Sequence, residues 1–180
     1  FMARGIAYIP EDRNSDGIIG DMSIQENAAL SELNNPKITS KFGLLKTKEC
    51  TIYAKDLCTK YDVRTQSLLQ PARLLSGGNV QKLLIGRWLE RNPNVIIACQ
   101  PTRGLDEGAI AAVHTMLINA KLAGKAVLFV TEDLDELLLI SDRISVMYNG
   151  SLTAPREAGS LEKREIGLMM TGTQFETSDR

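Results

Sequence analysis

A run of five apolar residues, Val95-Ile96-Ile97-Ala98-Cys99, constrains the fold more than any other feature of the sequence. A run that is rich in β-branched residues and has no polar alternation is typical of a strand covered on both faces, as in a parallel sheet. Beyond it, apolar runs alternate with helical patterns, which predict a helix over 107–123, a strand over 126–130 and a helix over 133–141. We therefore predict an α/β fold with a mainly parallel sheet.

The N-terminal part of the chain begins with a strand pattern and continues with helical patterns. Residues 6–9 form a short apolar run that Pro10 ends, which predicts a buried strand. Ser23 is followed three positions later by Glu26, a spacing typical of a capping box at the start of a helix. We expect the segment 20–92 to be mostly helical.

The C-terminal part contains a turn signal. Asn149-Gly150 favours a tight hairpin turn, so residues 144–148 predict a strand and residues 151–154 its antiparallel neighbour at the sheet edge. Residues 161–171 predict a last helix.

These elements divide the chain into parts of one domain over residues 1–180. Residues 1–19 and 93–160 hold the predicted strands and form a sheet-containing core. Residues 20–92 form a helical subdomain, and residues 161–180 form a C-terminal helix and tail. Because the chain enters an apolar run almost at once, we expect it to be a fragment of a longer protein.

Composition excludes several classes of function. With 21 basic and 22 acidic residues and a formal net charge of -1, the chain has no polyelectrolyte character, so no nucleic-acid partner is predicted. Cys50, Cys58 and Cys99 are odd in number and lack C-x-x-C spacing, which indicates neither a disulfide framework nor a metal site. No run approaches the roughly 18 to 20 apolar residues of a membrane span. A reduced, cytoplasmic location fits best.

The most specific string is Leu74-Leu75-Ser76-Gly77-Gly78-Asn79-Val80-Gln81-Lys82. Ser76 is placed to cap the helix that follows, and the two glycines allow close approach of a ligand to the backbone. The free N–H groups and the positive dipole end of a helix attract anions such as phosphate. The plainer alternative is an ordinary capped helix after a glycine turn.

This string resembles the signature motif of ABC ATPases, and the rest of the chain follows that family's order. The resemblance implies a partial P-loop NTPase core with a helical signature subdomain over 20–92. It also implies that the motif acts in trans, on the γ-phosphate of ATP held by a partner domain. The residues expected to contact that nucleotide are Ser76, Gly77, Gly78, Asn79 and Gln81.

The octet that begins at Cys99 occupies the place of the family's Walker B strand end and D-loop. The family has an Asp and a catalytic Glu where this chain has Cys99 and Gln100. A thiol is a poor ligand for Mg²⁺, and a neutral amide cannot accept a proton, so hydrolysis at this strand is expected to be impaired. Asp106 matches the D-loop aspartate, which contacts the partner across the dimer, but an N-cap of the next helix is an equal alternative.

Glutamates also occupy two further positions at which ABC ATPases have motif residues. Glu132 stands where the family has its switch histidine, and Glu11 stands where many relatives have the Q-loop glutamine that meets Mg²⁺ and water. Glu11 is therefore either a Mg²⁺ ligand or a solvated loop acid. The altered Gln100 and Glu132 predict a degenerate site.

Three strings together resemble the second, C-terminal ATPase half of simple-sugar and nucleoside importers. They are Tyr8–Arg13, Ala98–Asp106 and Thr131–Glu136. Gly124-Lys125 fails the G-x-x-x-x-G-K-[ST] pattern, so we expect a truncated chain that lacks the Walker A phosphate loop. ATP with Mg²⁺ is implied for the full assembly only. The chain alone is expected to bind it weakly and to be inactive.

The resemblance also implies partners. They are the N-terminal ATPase half of the same subunit or a second ATPase subunit, transmembrane permease subunits contacted through the helical subdomain, and indirectly a substrate-binding lipoprotein. The chain would then lie peripherally on the inner face of the cell membrane. Open alternatives are a non-transport ABC ATPase, a catalytically inert docking or regulatory module, and an acid-based hydrolase that uses Asp12, Asp133 and Asp135.

Overall fold

The computed structural model of the protein describes residues 5–173. The chain forms two compact units, of which the first ends at Val130 and the second begins at Thr131. Each unit is described by itself. The division into a core over 1–19 and 93–160, a helical part over 20–92 and a tail over 161–180 stays a prediction.

The first unit is built on a three-stranded parallel sheet. Its elements in chain order are β1 (Ile6–Ile9), α1 (Ile24–Ala29), α2 (Thr47–Lys60), α3 (Gly77–Leu89), β2 (Val95–Cys99), α4 (Glu107–Leu122) and β3 (Ala126–Val130). The strand order is β1-β2-β3, and both pairings are parallel. The predicted α/β fold with a parallel sheet is confirmed. Because the strands are parallel, their carboxyl ends meet at one edge of the sheet.

The two faces of the sheet differ in burial. Ile9 and Ile96 are fully buried, in a core cluster that also contains residues of α3 and α4. On the opposite face, Tyr8 and Leu128 flank Ile97 in register and are 43% and 56% exposed. In the described part of the chain α3 and α4 thus cover one face of the sheet, while the side chains of β2 on the other face are half-buried.

The start of α1 confirms the predicted capping box. The Ser23 hydroxyl accepts a hydrogen bond from the Glu26 N–H at 3.3 Å, and the Glu26 carboxylate accepts one from the Ser23 N–H at 2.8 Å. Hydrogen bonds from the Ser23 side chain and backbone lower the pKa of Glu26. The α-helix ends at Ala29, and a 3₁₀ turn, Leu30–Glu32, continues it.

Two buried polar side chains tie the helices of this unit together. Asn27 is fully buried and donates to the carbonyls of Ile19, Met22 and Ser23, while its side-chain oxygen accepts from the Ile19 N–H at 2.9 Å. Arg87 of α3 donates to the carbonyl of Asn27 at 3.1 Å and to that of Gly17 at 2.6 Å. Burial lowers the pKa of Arg87 to about 10. These bonds fix α1 against α3 and against the polar segment after β1.

The second unit contains two helices and two small antiparallel pairs. Its elements are α5 (Leu134–Ile140), β4 (Arg143–Ile144), β5 (Met147–Tyr148), β6 (Ser151–Leu152), β7 (Arg156–Glu157) and α6 (Lys163–Met170). β5 and β6 pair antiparallel across Asn149-Gly150, which confirms the predicted hairpin. The predicted place of this hairpin at the edge of the main sheet is wrong, because the two strands form a two-stranded sheet of their own.

The predicted strand over 144–148 is divided in the structure. β4 pairs with β7, and β5 pairs with β6. Between β4 and β5, the Val146 N–H donates to the Thr153 hydroxyl at 2.9 Å, a side chain in place of a ladder partner. Within the described part of the chain, no helix combines the length and apolar character needed to span a membrane.

Candidate functional site

The signature string lies at the start of α3, with Ser76 exposed at the N-cap position. Its hydroxyl does not cap the backbone as predicted. It accepts a hydrogen bond from the Asn79 side chain at 2.9 Å instead, and the Asn79 oxygen accepts one from the Arg64 N–H at 2.8 Å. Asn79 therefore orients the Ser76 hydroxyl and ties the start of α3 to the segment after α2.

The two glycines of the string are sites of close approach within the protein. A Cβ at Gly77 would lie 2.9 Å from Nη2 of Arg13, and a Cβ at Gly78 would lie 2.8 Å from the Cβ of Ala109 in α4. Both distances are shorter than real Cβ contacts. Packing against α4 thus accounts for Gly78 whether or not a nucleotide approaches it, whereas a Cβ at Gly77 would have to displace the end of the Arg13 side chain.

Gln81 does not share this surface. It is 1% exposed, and its side-chain oxygen has no hydrogen-bond partner among the described residues. A side chain buried in this way is not available to a nucleotide at the exposed Ser76. The predicted contact by Gln81 is therefore not supported by its placement.

The backbone turns sharply after β2, at the position of the family's catalytic glutamate. Gln100 has a positive φ of 46°, its N–H donates to the Val130 carbonyl at 2.8 Å, and its carbonyl accepts from the Arg103 N–H. Next to Gln100 in the sequence, Cys99 raises the pKa of Tyr8 by electrostatic repulsion and by a hydrogen bond between the two side chains. The turn places Gln100 at the carboxyl edge of the sheet.

This edge does not fit a Mg²⁺ site formed by Cys99 and Gln100. No group of three or more His, Cys, Asp or Glu side chains that could hold a metal ion occurs within residues 5–173. Mg²⁺ prefers carboxylate and carbonyl oxygens, whereas Cys99 supplies a thiol and Gln100 one neutral oxygen. The exposed Ser76 hydroxyl at the start of a long helix, in contrast, fits contact with a phosphate.

Glu11, at the Q-loop position, forms an ion pair with Arg103 of the turn after β2. Its side chain is 53% exposed, so the pair contributes little to stability. The choice between a Mg²⁺ ligand and a solvated acid stays open.

Asp106 caps α4, as one of the two alternatives predicted. Its carboxylate accepts a hydrogen bond from the Ala109 N–H at 2.8 Å. The other alternative, a contact with a partner domain, stays a prediction.

Glu132 lies in the second unit, shortly after the end of β3, and is exposed. Its role as a replacement for the switch histidine stays a prediction.

The three carboxylates of the acid-hydrolase alternative all take part in local structure. Asp12 accepts hydrogen bonds from the N–H groups of Asn14 and Ser15, and the bonds with Ser15 are the main cause of its lowered pKa. In the second unit, Asp133 caps α5 and Asp135 pairs with Lys163 at 2.6 Å. These roles do not favour catalysis.

Arg13 is the residue of this site that the sequence did not single out. Its Nη1 donates to the carbonyl of Arg103 at 2.7 Å, and its Nη2 lies against Gly77. The only sequence signal for a role of Arg13 was that it belongs to the Tyr8–Arg13 string. That string carries no information about a contact with a residue 90 positions away.

Comparison with known proteins reveals the fold. No family model matches the sequence. Among solved structures, the protein is similar to the ATP-binding cassette MJ0796 in a dimeric post-hydrolysis state bound to ADP and Pi, with a TM-score of 0.68, 22% identity and coverage of 87% of this chain and 65% of that one. The ATP-binding cassette MJ1267 of an ABC transporter matches with a TM-score of 0.68, 22% identity and coverage of 94% and 66%. The chain has the fold of an ABC ATPase domain.

The homologues of this chain are import ATP-binding proteins. The guanosine import ATP-binding protein NupO of Bacillus subtilis is 45% identical over 169 residues, which cover 94% of this chain and 33% of NupO. The nucleoside import ATP-binding protein NupA of Lactococcus lactis subsp. cremoris is 41% identical, with the same coverage. The ribose import ATP-binding protein RbsA 1 of Streptomyces coelicolor is 40% identical over 172 residues, or 96% of this chain and 33% of that protein. The chain spans about a third of the length of these relatives.

Proposed function

We propose that this chain is part of the ATP-binding subunit of an ABC importer for nucleosides or simple sugars, and that its signature string acts in trans on ATP held by a second ATPase domain. The observation that carries the proposal is the similarity to nucleoside and ribose import ATP-binding proteins over nearly the whole chain. In this role it corresponds to the second ATPase half.

The start of α3 supports the trans role. Ser76 is exposed, its hydroxyl is oriented by Asn79, and it precedes a helix of 13 residues. The N–H groups and the positive dipole end of such a helix stabilise an anion. The oriented Ser76 hydroxyl and the backbone of Gly77 are the groups that would contact a γ-phosphate presented by the second domain.

The site at the chain's own β2 edge is proposed to be silent. A general base must accept a proton, which the amide of Gln100 cannot do, and Cys99 is a poor ligand for Mg²⁺. Hydrolysis in the assembly is then carried out at the composite site that uses this signature, with MgATP bound mainly by the other domain.

Membrane partners are proposed to dock on the helical part of the first unit. Apolar side chains are exposed there, including Phe42 at 91%, Leu44 at 70% and Ile52 at 61%. Contiguous exposed apolar patches are typical of protein-binding surfaces, and these side chains are proposed to contribute to one. Permease subunits bound here would hold the protein at the inner face of the membrane, and co-purification of such subunits separates this proposal from a non-transport ABC ATPase.

MgATP binding tests the trans role directly. We expect titration calorimetry to detect no MgATP binding by the chain of residues 1–180 alone, because the sequence has no G-x-x-x-x-G-K-[ST] motif to cradle the phosphates. The assembled ATPase that contains the chain should bind MgATP clearly. Micromolar binding by the chain alone would contradict the proposed division of roles.

Restoring the family residues tests whether the chain's own site is silent. In the assembled ATPase, Gln100→Glu alone is expected to leave ATP turnover unchanged, because Cys99 and Glu132 still lack the required chemistry. The combination Cys99→Asp, Gln100→Glu and Glu132→His is expected to raise turnover up to about twofold, as a second site joins the first.

Gln100→Ala is the matched control for that restoration. A silent site loses nothing when the amide is removed, so turnover of this variant should equal that of the wild type. A fall of tenfold or more would show that Gln100 takes part in hydrolysis, and the degenerate-site proposal would fail.

A further inference from the structure

We infer that Arg13 is a positioning residue, which holds the signature string against the turn after β2 and so fixes the surface presented to ATP. The inference rests on the proposed function, since it names how the same site is kept in place. It is drawn from the contacts of one guanidinium group with two segments that are distant in the sequence.

The guanidinium of Arg13 bridges these two segments. Nη1 donates a hydrogen bond of 2.7 Å to the carbonyl of Arg103, in the turn after β2. Nη2 lies so close to Gly77 that a Cβ there would approach it to 2.9 Å, and a Cβ at Gly104 would lie 3.8 Å from the same nitrogen. A Cβ at position 77 would therefore displace the guanidinium, which lies at the end of a flexible side chain.

Arg13 is itself held from both sides. It begins a π-helical turn, Arg13–Gly17, whose start is capped by Asp12. At the end of the turn, Gly17 packs on Leu84 of α3, and its carbonyl accepts from Arg87 at 2.6 Å. The segment that carries the guanidinium is therefore held by contacts at both of its ends.

The turn after β2 has a second contact with the segment after β1. The side chain of Arg103 pairs with Glu11, two positions before Arg13, so the turn after β2 and the segment after β1 are joined twice. The Nε of Arg13 is buried without a hydrogen-bond partner in the described part of the chain, an unfavourable burial that the packing of the group must offset.

The positive charge of Arg13 couples the position of its guanidinium to the binding of a nucleotide. A cation at the positive end of α3 is unfavourable, so the helix itself does not attract the guanidinium. An anionic γ-phosphate at Ser76 would reduce that repulsion. Nucleotide binding and the placement of Arg13 are therefore expected to favour each other, as reciprocal coupling requires.

The test uses the assembled ATPase with Arg13→Ala, Arg13→Lys and the control Arg73→Ala, which removes an exposed arginine paired with Asp21. Arg13→Ala is expected to lower kcat about 10- to 100-fold, because small displacements of a positioned group are costly, and to change KM for ATP less than about threefold. Arg13→Lys is expected to restore little, since one ammonium cannot reach both segments. Arg73→Ala should behave as the wild type.

A double-mutant cycle with Gly77→Ala identifies the contact. The added methyl group would displace the guanidinium, so adding Arg13→Ala to Gly77→Ala should change kcat less than about twofold. Multiplicative losses would overturn the inference. A wild-type kcat for Arg13→Ala would also overturn it. A third contradicting result would be a fall in Tm of more than about 5 °C in Arg13→Ala, with both Tm and kcat restored in Arg13→Lys, because that pattern would indicate general stabilisation of the fold.

The outcomes separate this inference from the proposed function. If Ser76→Glu abolishes turnover while Arg13→Ala does not change it, only the role of Arg13 is wrong. If the assembled ATPase tolerates Ser76→Glu, the signature does not act on ATP, and the proposed function fails whatever Arg13 does.

Discussion

Replacing Ser76 with glutamate is expected to reduce the kcat of the assembled ATPase at least about 100-fold, the loss typical when one group that stabilises developing charge is removed. Ser76 is exposed at the N-cap of α3, so the substitution meets no steric barrier in the fold. A carboxylate at a helix N-terminus stabilises the helix, but the same charge repels a γ-phosphate. Loss of turnover without loss of stability is therefore the expected result, measured as kcat and Tm on one preparation.

Two variants serve as controls for that result. Ser76→Ala removes the hydroxyl and its bond from Asn79 without adding charge, and a smaller loss of about tenfold is expected. Ser160→Glu places the same charge on an exposed serine of the second unit and should leave kcat unchanged. Turnover of Ser76→Glu within twofold of the wild type would contradict a nucleotide contact at this helix start.

Replacing Asn27 with alanine is expected to lower the free energy of unfolding by about 3 kcal/mol or more. Asn27 is fully buried, and its side chain serves both the N–H and the carbonyl of Ile19 and the carbonyl of Met22. Alanine removes the four hydrogen bonds of this side chain, each worth on the order of 1 kcal/mol, and leaves the Ile19 N–H without its partner. The carbonyls of Ile19 and Met22 keep the N–H groups of Met22 and Ala72. Urea unfolding followed by circular dichroism measures the change.

Asn119→Ala is the control for Asn27→Ala. Asn119 is exposed on α4, and alanine has the higher helix propensity, so the free energy of unfolding should change by no more than about 0.5 kcal/mol. Equal, small effects of the two substitutions would show that the Asn27 hydrogen bonds do not hold α1 and its neighbouring turns in place.

The elements that could be predicted from the sequence are those with a local signal. The capping box of Ser23 and Glu26, the hairpin at Asn149-Gly150 and the β-branched run of β2 each depend on a few adjacent residues. The pairing of β4 with β7 could not be found in this way, because strands of two residues have no periodicity and their pairing is non-local.

The candidate site could be predicted in position but not in contacts. The N-cap positions of Ser76 and Asp106 follow from residue type and spacing. That Ser76 accepts from Asn79 rather than from the backbone, and that Gln81 is buried, depends on how α3 packs. Arg13 reaches Arg103 across 90 positions, and no pattern within either segment encodes that contact.

The parallel register of β1 with β2 has a consequence for the order of folding. Ile6 pairs with Val95, so during synthesis β1 can pair with β2 only after the whole helical part has been made. That part has its own apolar cluster, formed between Ile18 and Leu83, and contacts closer in sequence form faster than more distant ones. We therefore expect the helical part, which carries the signature string, to form first. The carboxyl edge of the sheet, where Gln100 lies, would be completed only when β2 and β3 have left the ribosome.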